Sequence, residues 1–318
     1  MGNKDIQTAA LIINNGGLVA FPTETVYGLG ANALDPIAVA KIFALKERPS
    51  FDPLIVHIAS SDDIKTLTNQ PTDLVLKLAG KFWPGPLTIV LQKSCIVPDI
   101  VTSGLTTVGI RMPDNEIALN LIRTSKCPIA APSANKFGNL SPVSASHVKK
   151  QLPGVDFILD GGRTEIGIES TIISIVGNTC TLLRPGKITL DDINDALPGI
   201  FVFETNKSGK LNAPGLLKSH YSPAKPLYLY KNQTELPEQS GMILHCLNDR
   251  IPDCEKVIYT SYNNNLPEIA ANLFSSLHAM EDDEQIKQIF IEHVIESGLG
   301  IAIMDRIKKA VFKYESIK

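Results

Sequence analysis

Apolar positions over the first two thirds of the chain recur in two alternating rhythms. Short uninterrupted runs, LVAF (18–21), PLIVHI (53–58), LTIVL (87–91), VGIRM (108–112), PIAA (128–131), STIISIV (170–176) and TLLR (181–184), have the length and composition of buried strands. Stretches between them repeat at helical spacing. Ile6, Ala9, Ala10 and Ile13 share a face, with Asp5 as the expected cap and Gly16-Gly17 as the stop. Asp35-Pro36 opens a second helix to about Leu45, and residues 73–82 and 115–123 carry two more. The alternation predicts an α/β domain over residues 1–205 with a largely buried, mixed sheet.

Between Thr205 and Pro226 the rhythm stops. TNKSGKLNAPGLLKSHYSPAKP is polar and broken by Gly and Pro, and a stretch of that length inside a compact chain is a tether or a functional loop. Residues 206–226 are therefore read as a linker. Beyond it, PLYLY, GMILHC and KVIYTSY read as strands. About Leu266 to Met280, Glu284 to Val294 and the run through IMDRIKKAVF read as helices, which makes a smaller α/β unit of residues 227–318.

Composition narrows the function classes. The chain has 318 residues, 44% hydrophobic and 20% charged, enough for a sizeable core. Lys plus Arg number 30 against 33 for Asp plus Glu, a net charge of -3. Residues 1–205 carry 17 basic and 19 acidic groups and residues 206–318 carry 13 and 14, so neither part is a basic module built for a phosphate backbone. Cys95, Cys127, Cys180, Cys246 and Cys254 are scattered and odd in number, the pattern of reduced thiols rather than of a disulfide framework or zinc site. No run of 18 apolar residues and no apolar signal region are present, and the expected location is the cytoplasm, with no membrane partner.

Polar residues cluster where these strands end, the place where open α/β sheets bind ligands. PTETVYGLG (22–30) follows LVAF and reads as a strand-to-helix turn rich in hydroxyls, with Gly28 and Gly30 allowing close backbone approach. Lys46 and Arg48 end a helix, and the loop after them delivers Asp52 and then His57 inside a strand. Arg111 sits within an apolar strand and must be paired if buried, either with a protein carboxylate or with an anionic ligand. APSANKFGNLSP (131–142), with Ser133 and Ser141, reads equally as a phosphate nest or as a plain Ser-rich turn. DGG (160–162), GIESTI (167–172) and LRPG (183–186) repeat the design, with Ser170 and Arg184 at strand ends. Several cations and hydroxyl-rich turns in a near-neutral domain point to a focused anion pocket. Neither a G-x-G-x-x-G nor a Walker loop occurs, and no H-E-x-x-H, G-x-S-x-G or caged carboxylates indicate a protein-bound catalytic metal.

In this order, PTETVYGLG, K-x-R, PLIVHI, WPGPLT, GIRMPDN, APSAN…SP, DGG…GIESTI and LRPG, the chain resembles the YrdC-like family. The APG…HYSP stretch (213–223) followed by an α/β unit resembles the long two-domain form of its threonylcarbamoyl-AMP synthases. The resemblance implies a YrdC-like twisted mixed sheet joined to a Rossmann-like C-terminal domain. It implies a nucleotidyltransferase that makes L-threonylcarbamoyladenylate and pyrophosphate from L-threonine, bicarbonate and ATP, for t6A37 in tRNAs reading ANN codons. Thr25, His57, Arg111, Ala131 and Ser170 would then surround threonine. Arg48, Asp52, Thr107, Ser133, Ser141, Arg184 and Tyr221 would bind ATP, with Lys46 and Arg48 acting on its phosphates and Tyr221 closing the site from the linker. Mg2+ would arrive on the ATP phosphates rather than in a site of its own. The implied partner is the tRNA threonylcarbamoyltransferase machinery that consumes the product. An RNA-binding or ribosome-associated module on the same fold is the main rival, and the near-neutral charge weighs against it. Carbamoyl transfer as in hydrogenase maturation would share the pocket, but those chains carry acylphosphatase-like and zinc-finger parts that this sequence lacks.

Overall fold

In the computed structural model the seven apolar runs of the first two thirds supply seven of the ten strands of one sheet. The ten are β1 (Val19–Phe21), β2 (Gly28–Asn32), β3 (Ile55–His57), β4 (Leu87–Gln92), β5 (Thr107–Arg111), β6 (Ile129–Ala130), β7 (Phe157–Ile158), β8 (Thr171–Val176), β9 (Thr179–Arg184) and β10 (Val202–Thr205). The structure describes the chain except residues 1, 70, 177–178, 199–201, 206–213, 216, 218, 232, 248–250 and 316–318. The strand order is β10-β9-β8-β4-β5-β3-β6-β2-β1-β7. Parallel pairs (β3 with β5, β4 with β8) alternate with antiparallel ones (β4 with β5, β3 with β6), the mixed sheet expected of the sequence.

Helix ends follow capping chemistry. Asp35 accepts from the N–H groups of Ile37 and Ala38 ahead of the helix Pro36–Lys46, Thr72 caps Asp73–Phe82, and Asn115 caps Glu116–Ser125. At the first helix, Asn3–Asn14, the cap position is Gly2 and not Asp5. Asp5 stands in the first turn, where its carboxylate accepts from the Gly2 N–H at 3.2 Å.

A second sheet of four parallel strands forms beyond the linker: β11 (Leu227–Leu229), β12 (Ser240–Leu244), β13 (Lys256–Tyr259) and β14 (Gln288–Ile291), in the order β11-β14-β12-β13. Four strands differ from the sequence reading: β2, β7 and β10 form where no strand was expected, and β14 where a helix was. The segment Glu284 to Val294, expected as a helix, contributes β14, because its QIFI run is buried between two parallel neighbours, where continuous apolar runs belong. The PTETVYGLG turn does not lead into a helix but into β2, which pairs with β1 and β6. Gly30 is required there, since a Cβ would lie 2.7 Å from both Phe21 and Ile129.

The two units are welded along one apolar seam. Val26, Leu140, Val143, Ile166 and Ile168 of the first unit belong to the same buried cluster as Leu273, Phe274, Leu277, Ile303 and Ile307 of the second. Where helix Ala145–Gln151 meets helix Leu266–Asp282, His147 and His278 stack with ring centroids 3.8 Å apart. The His278 Nε2 lies 3.1 Å from the Ser141 carbonyl oxygen, and Lys150 pairs across the seam with Glu281 and Asp282. Burial pushes both imidazoles down to about 4, with the neighbouring ring adding to the effect on His147.

Unfolded imidazoles titrate near 6.5, so between about pH 6.5 and 4 the unfolded chain binds protons that the folded chain refuses. Stability should therefore fall as pH drops through that window and be level above it. Thermal unfolding followed from pH 7 to pH 5 should show a falling midpoint, and His278→Gln should make the fall shallower; an unchanged slope would show that the stacked pair does not set it.

Candidate active site

The sheet itself forms the floor of a cavity. Ile55 and His57 on β3 and Gly109 and Arg111 on β5 lie at alternate positions, paired Ile55 with Gly109 and His57 with Arg111, so they share one face. The intervening Val56 and Ile110 point into the main core. Turns close around this face: Thr23 to Gly28 after β1, Ala131 to Ser133 after β6, Glu169 and Ser170 before β8, and Arg184 at the end of β9. Pro214, Gly215, His220 and Tyr221 of the linker cover it. The enclosed space is about 50 Å³, room for one or two waters against the several hundred Å³ of a typical small-molecule pocket.

All five residues assigned to threonine by the resemblance, Thr25, His57, Arg111, Ala131 and Ser170, line this cavity. So do Arg48, Ser133, Arg184 and Tyr221 of the nucleotide set. Asp52 and Ser141 stand one layer behind. Asp52 pairs with Arg48 at 2.9 Å, and the Ser141 hydroxyl donates to Glu169 at 2.5 Å.

Two expectations change. Thr107 is not brought into the cavity: it begins β5, four residues and roughly 13 Å along the strand from Arg111, and borders a separate hollow with Gln92 and Ser174. Lys46 does not reach the lining either. Its buried ammonium donates to the main-chain carbonyls of Ser133 and Asn135 at 2.6 and 2.5 Å, so it fixes the loop that carries Ser133. Burial and then the Arg48 charge pull its pKa well below the usual lysine range.

Each cavity cation except one has a carboxylate. Arg48 holds Asp52 and also donates to the carbonyls of Asp52 and Pro53. Arg111 holds Glu24 at 2.6 Å, both of them buried. Arg184 donates from Nε and Nη2 to the Ser170 carbonyl at 3.1 and 2.9 Å, and from Nη2 to the Ser170 hydroxyl. Among the described residues no carboxylate lies within ion-pair distance of it. His57 is neutral: burial, and then the Arg111 charge, depress it to about 3, while its Nδ1 has no hydrogen-bond partner. His220 is likewise held far below 6.5 by burial and by Arg48, Lys46, Lys309 and Arg184 around it.

The linker residues are held in conformations that their neighbours dictate. Tyr221 adopts φ +61, unfavourable for a bulky side chain, and packs against His220, Phe274 and the Arg306 guanidinium. Gly215 has φ +78, and a Cβ on it would lie 2.8 Å from the Tyr221 hydroxyl oxygen. Glu24, His220, Glu169 and Arg306 line or adjoin the cavity, and the sequence reading gave none of them a role. Glu24, Glu169 and His220 stand in the PTETVYGLG, GIESTI and HYSP stretches, and Arg306 on the same helical face as Ile303, Ile307 and Ala310.

The fold and site have known counterparts. The Sua5/YciO/YrdC family model, described as telomere recombination, matches residues 11–186, and the model of the threonylcarbamoyl-AMP synthase C-terminal domain matches residues 188–311. A threonylcarbamoyl-AMP synthase of Pyrococcus abyssi is 42% identical over 96% of this chain and 93% of its own. One from Bacillus subtilis is 40% identical over 97% of this chain and 93% of its own. The crystal structure of P. abyssi Sua5 complexed with L-threonine superposes with a TM-score of 0.87 at 40% identity, covering 96% of this chain and 94% of that one. Among the described residues no helix is long and apolar enough to cross a membrane.

The role of Lys46 as a strut has a direct consequence. Lys46→Met should leave the Asn135 carbonyl without its donor and the Ser133 carbonyl with only the Asn135 N–H, and cost about 1–3 kcal/mol in urea unfolding; unchanged stability would return the ammonium to the cavity.

Proposed function

Since the chain belongs to the Sua5/YrdC family of threonylcarbamoyl-AMP synthases, we propose that it converts L-threonine, bicarbonate and ATP into L-threonylcarbamoyladenylate, pyrophosphate and water. The observation that carries this reading is the meeting, in one covered cavity, of Arg111 backed by Glu24 and of Arg184 with no carboxylate of its own. One suits an amino-acid carboxylate and the other a phosphate chain.

Arg111 takes the threonine carboxylate, its fork oriented by Glu24 on one side. Thr25, His57, Ala131 and Ser170 complete that half. The amine nitrogen forms a bond to the bicarbonate carbon with loss of water, giving an N-carboxylate that is short-lived in bulk solvent and needs a sheltered site. A carboxylate oxygen then attacks the α-phosphorus. The new O–P bond forms as the bond to the bridging oxygen breaks, and pyrophosphate leaves with that electron pair. Arg48, Arg184 and Ser133 face the phosphates and offset the charge that builds on their oxygens. Neutral His57 orients by hydrogen bonding; a group near 3 is too weak a base for proton abstraction at neutral pH.

Glu24, Asp52 and Glu169 are each already held by an arginine. Magnesium therefore enters as MgATP, riding on phosphate oxygens. His220 and Tyr221 lie over the cavity, and its small volume means that nucleotide enters only when this stretch of linker lifts. The product, a mixed carbamic–phosphoric anhydride, is passed in the cytoplasm to the tRNA threonylcarbamoyltransferase that forms t6A.

Pyrophosphate release from ATP should require both threonine and bicarbonate; equal turnover without threonine rejects the substrate assignment. Arg111→Ala should raise the KM for threonine by about a hundredfold with little change for ATP, read in the same assay. A matched loss for both substrates would move Arg111 out of the amino-acid half. Serine should be disfavoured only by the roughly 1–3 kcal/mol of one missing methyl group, measured as the ratio of kcat/KM values.

A further inference from the structure

The C-terminal helix Leu299–Glu315 sends one fully buried guanidinium out of its own domain and into the wall of the cavity. Arg306 Nε donates to Glu169 Oε2 at 3.0 Å, and Nη2 donates to the Glu169 carbonyl at 3.3 Å. Its Nη1 donates to the Pro185 carbonyl at 2.6 Å and to Asp305 at 3.0 Å. Its Cζ lies over the Tyr221 ring, 5.6 Å from the centroid. Glu169 immediately precedes Ser170, and its other oxygen accepts the Ser141 hydroxyl. One side chain of the second domain thus touches the strand-entry loop, the linker residue over the cavity and the carboxylate nearest the unmatched cation.

The charges make this more than a domain bolt. Glu169 is buried, and the second guanidinium in its neighbourhood is Arg184, which donates to the carbonyl and hydroxyl of the very next residue. Burial alone would raise the Glu169 pKa, but Arg306, then Arg184, and the Ser141 hydroxyl leave it below the usual carboxylate range. The carboxylate is thus ionised and must be matched. With Arg306 present, Glu169 is satisfied and Arg184 remains available to an incoming anion. Without it, a buried carboxylate would be left beside Arg184, and the nearest remedy is to draw that guanidinium onto itself. We infer that Arg306 is a positioning residue for the nucleotide half of the site: it neutralises Glu169 so that Arg184 is left to the phosphates, and it backs Tyr221 over them. The second domain thereby acts on the site without lining it. This rests on the proposed reading that the cavity takes a nucleotide.

A plain docking role predicts something different. Arg163 also crosses between the domains, to the Ala271 carbonyl, Asn272 and Ser275, and does not line the cavity. The test is calorimetric titration of the full chain with MgATP, and separately with L-threonine, for the parent, Arg306→Gln, Arg306→Lys, Arg163→Gln and the double variant Arg306→Gln/Glu169→Gln. Arg306→Gln should weaken MgATP by about tenfold or more while threonine binding persists, as expected of an unmatched buried charge. Arg306→Lys keeps the charge without the fork and should lie between parent and Gln, and it carries the test if the Gln variant does not fold. Removing the stranded carboxylate as well should bring back a good part of the MgATP affinity, although the interdomain contact is still missing. Parent-like MgATP binding by Arg306→Gln, an equal loss in Arg163→Gln, or no recovery in the double variant would overturn the inference. A parent that binds threonine but not MgATP would instead overturn the nucleotide reading on which it stands.

Discussion

A guanidinium cannot be left dry and unmatched, and this site contains four that are buried. Arg48, Arg111, Arg184 and Arg306 converge from the two domains, while the buried carboxylates beside them are three: Asp52, Glu24 and Glu169. Three pairs can form, and they do. The remaining cation, Arg184, is supported by carbonyl and hydroxyl oxygens that solvate its charge without cancelling it. On the proposed reading, a covered cavity with one positive charge that no carboxylate offsets suits an anion, because a phosphate there gains Coulombic attraction that bulk water screens less. The pairs are as informative as the exception. A carboxylate beside each of the other guanidiniums offsets its charge in advance of any ligand.

Much of this was legible in the sequence. The apolar runs located most strands, Asp35 and the patterns at 73–82 and 115–123 located helices, and the polar turns at strand ends pointed to an anion pocket, while the family resemblance supplied the nine assigned residues that line the cavity. The misses have physical causes. The strand at Gly28–Asn32 carries two glycines that fit against Phe21, a steric requirement that carries no propensity signal. The strand at Gln288–Ile291 lies in a segment whose spacing also suits a helix, and burial between two parallel neighbours decides in favour of the strand. Lys46 is read from its motif as a phosphate ligand, yet the structure gives its ammonium to two carbonyls of the loop opposite, a partner choice that sequence spacing cannot encode. Thr107 shares a strand with Arg111, and only the pitch of the strand shows how far apart the two stand. The domain limits and the linker as drawn from the sequence run through residues 206–213, which lie outside the described residues.

The seam between the domains bears on the same economy of charge. It contains a continuous apolar cluster, with His147 and His278 stacked beside it and held neutral by burial. Apolar packing joins the domains but cannot dictate where one arginine points. The fork of Arg306 can, because it meets Glu169, Pro185 and the face of Tyr221 at once, an arrangement that a lysine's single ammonium does not reproduce. Packing therefore sets the distance between the domains, and hydrogen bonding sets the register of the cavity wall.

Closure follows from the same geometry. Tyr221 is held in a left-handed backbone conformation, and Gly215 leaves room for its hydroxyl, where any side chain would collide. Such a conformation persists only while its surroundings over-determine it, and here they are the His220 and Phe274 rings, the Arg306 guanidinium and the cavity wall. In the proposed opening of the linker, the left-handed strain would be free to relax while the stacking contacts would be lost. These terms oppose each other, so the balance between open and covered states is finer than the number of contacts alone would give. A bound nucleotide that touches Tyr221 shifts that balance only to the extent that it binds the covered state better than the open one. The unmatched charge of Arg184, stronger when covered from water, is the source of that difference.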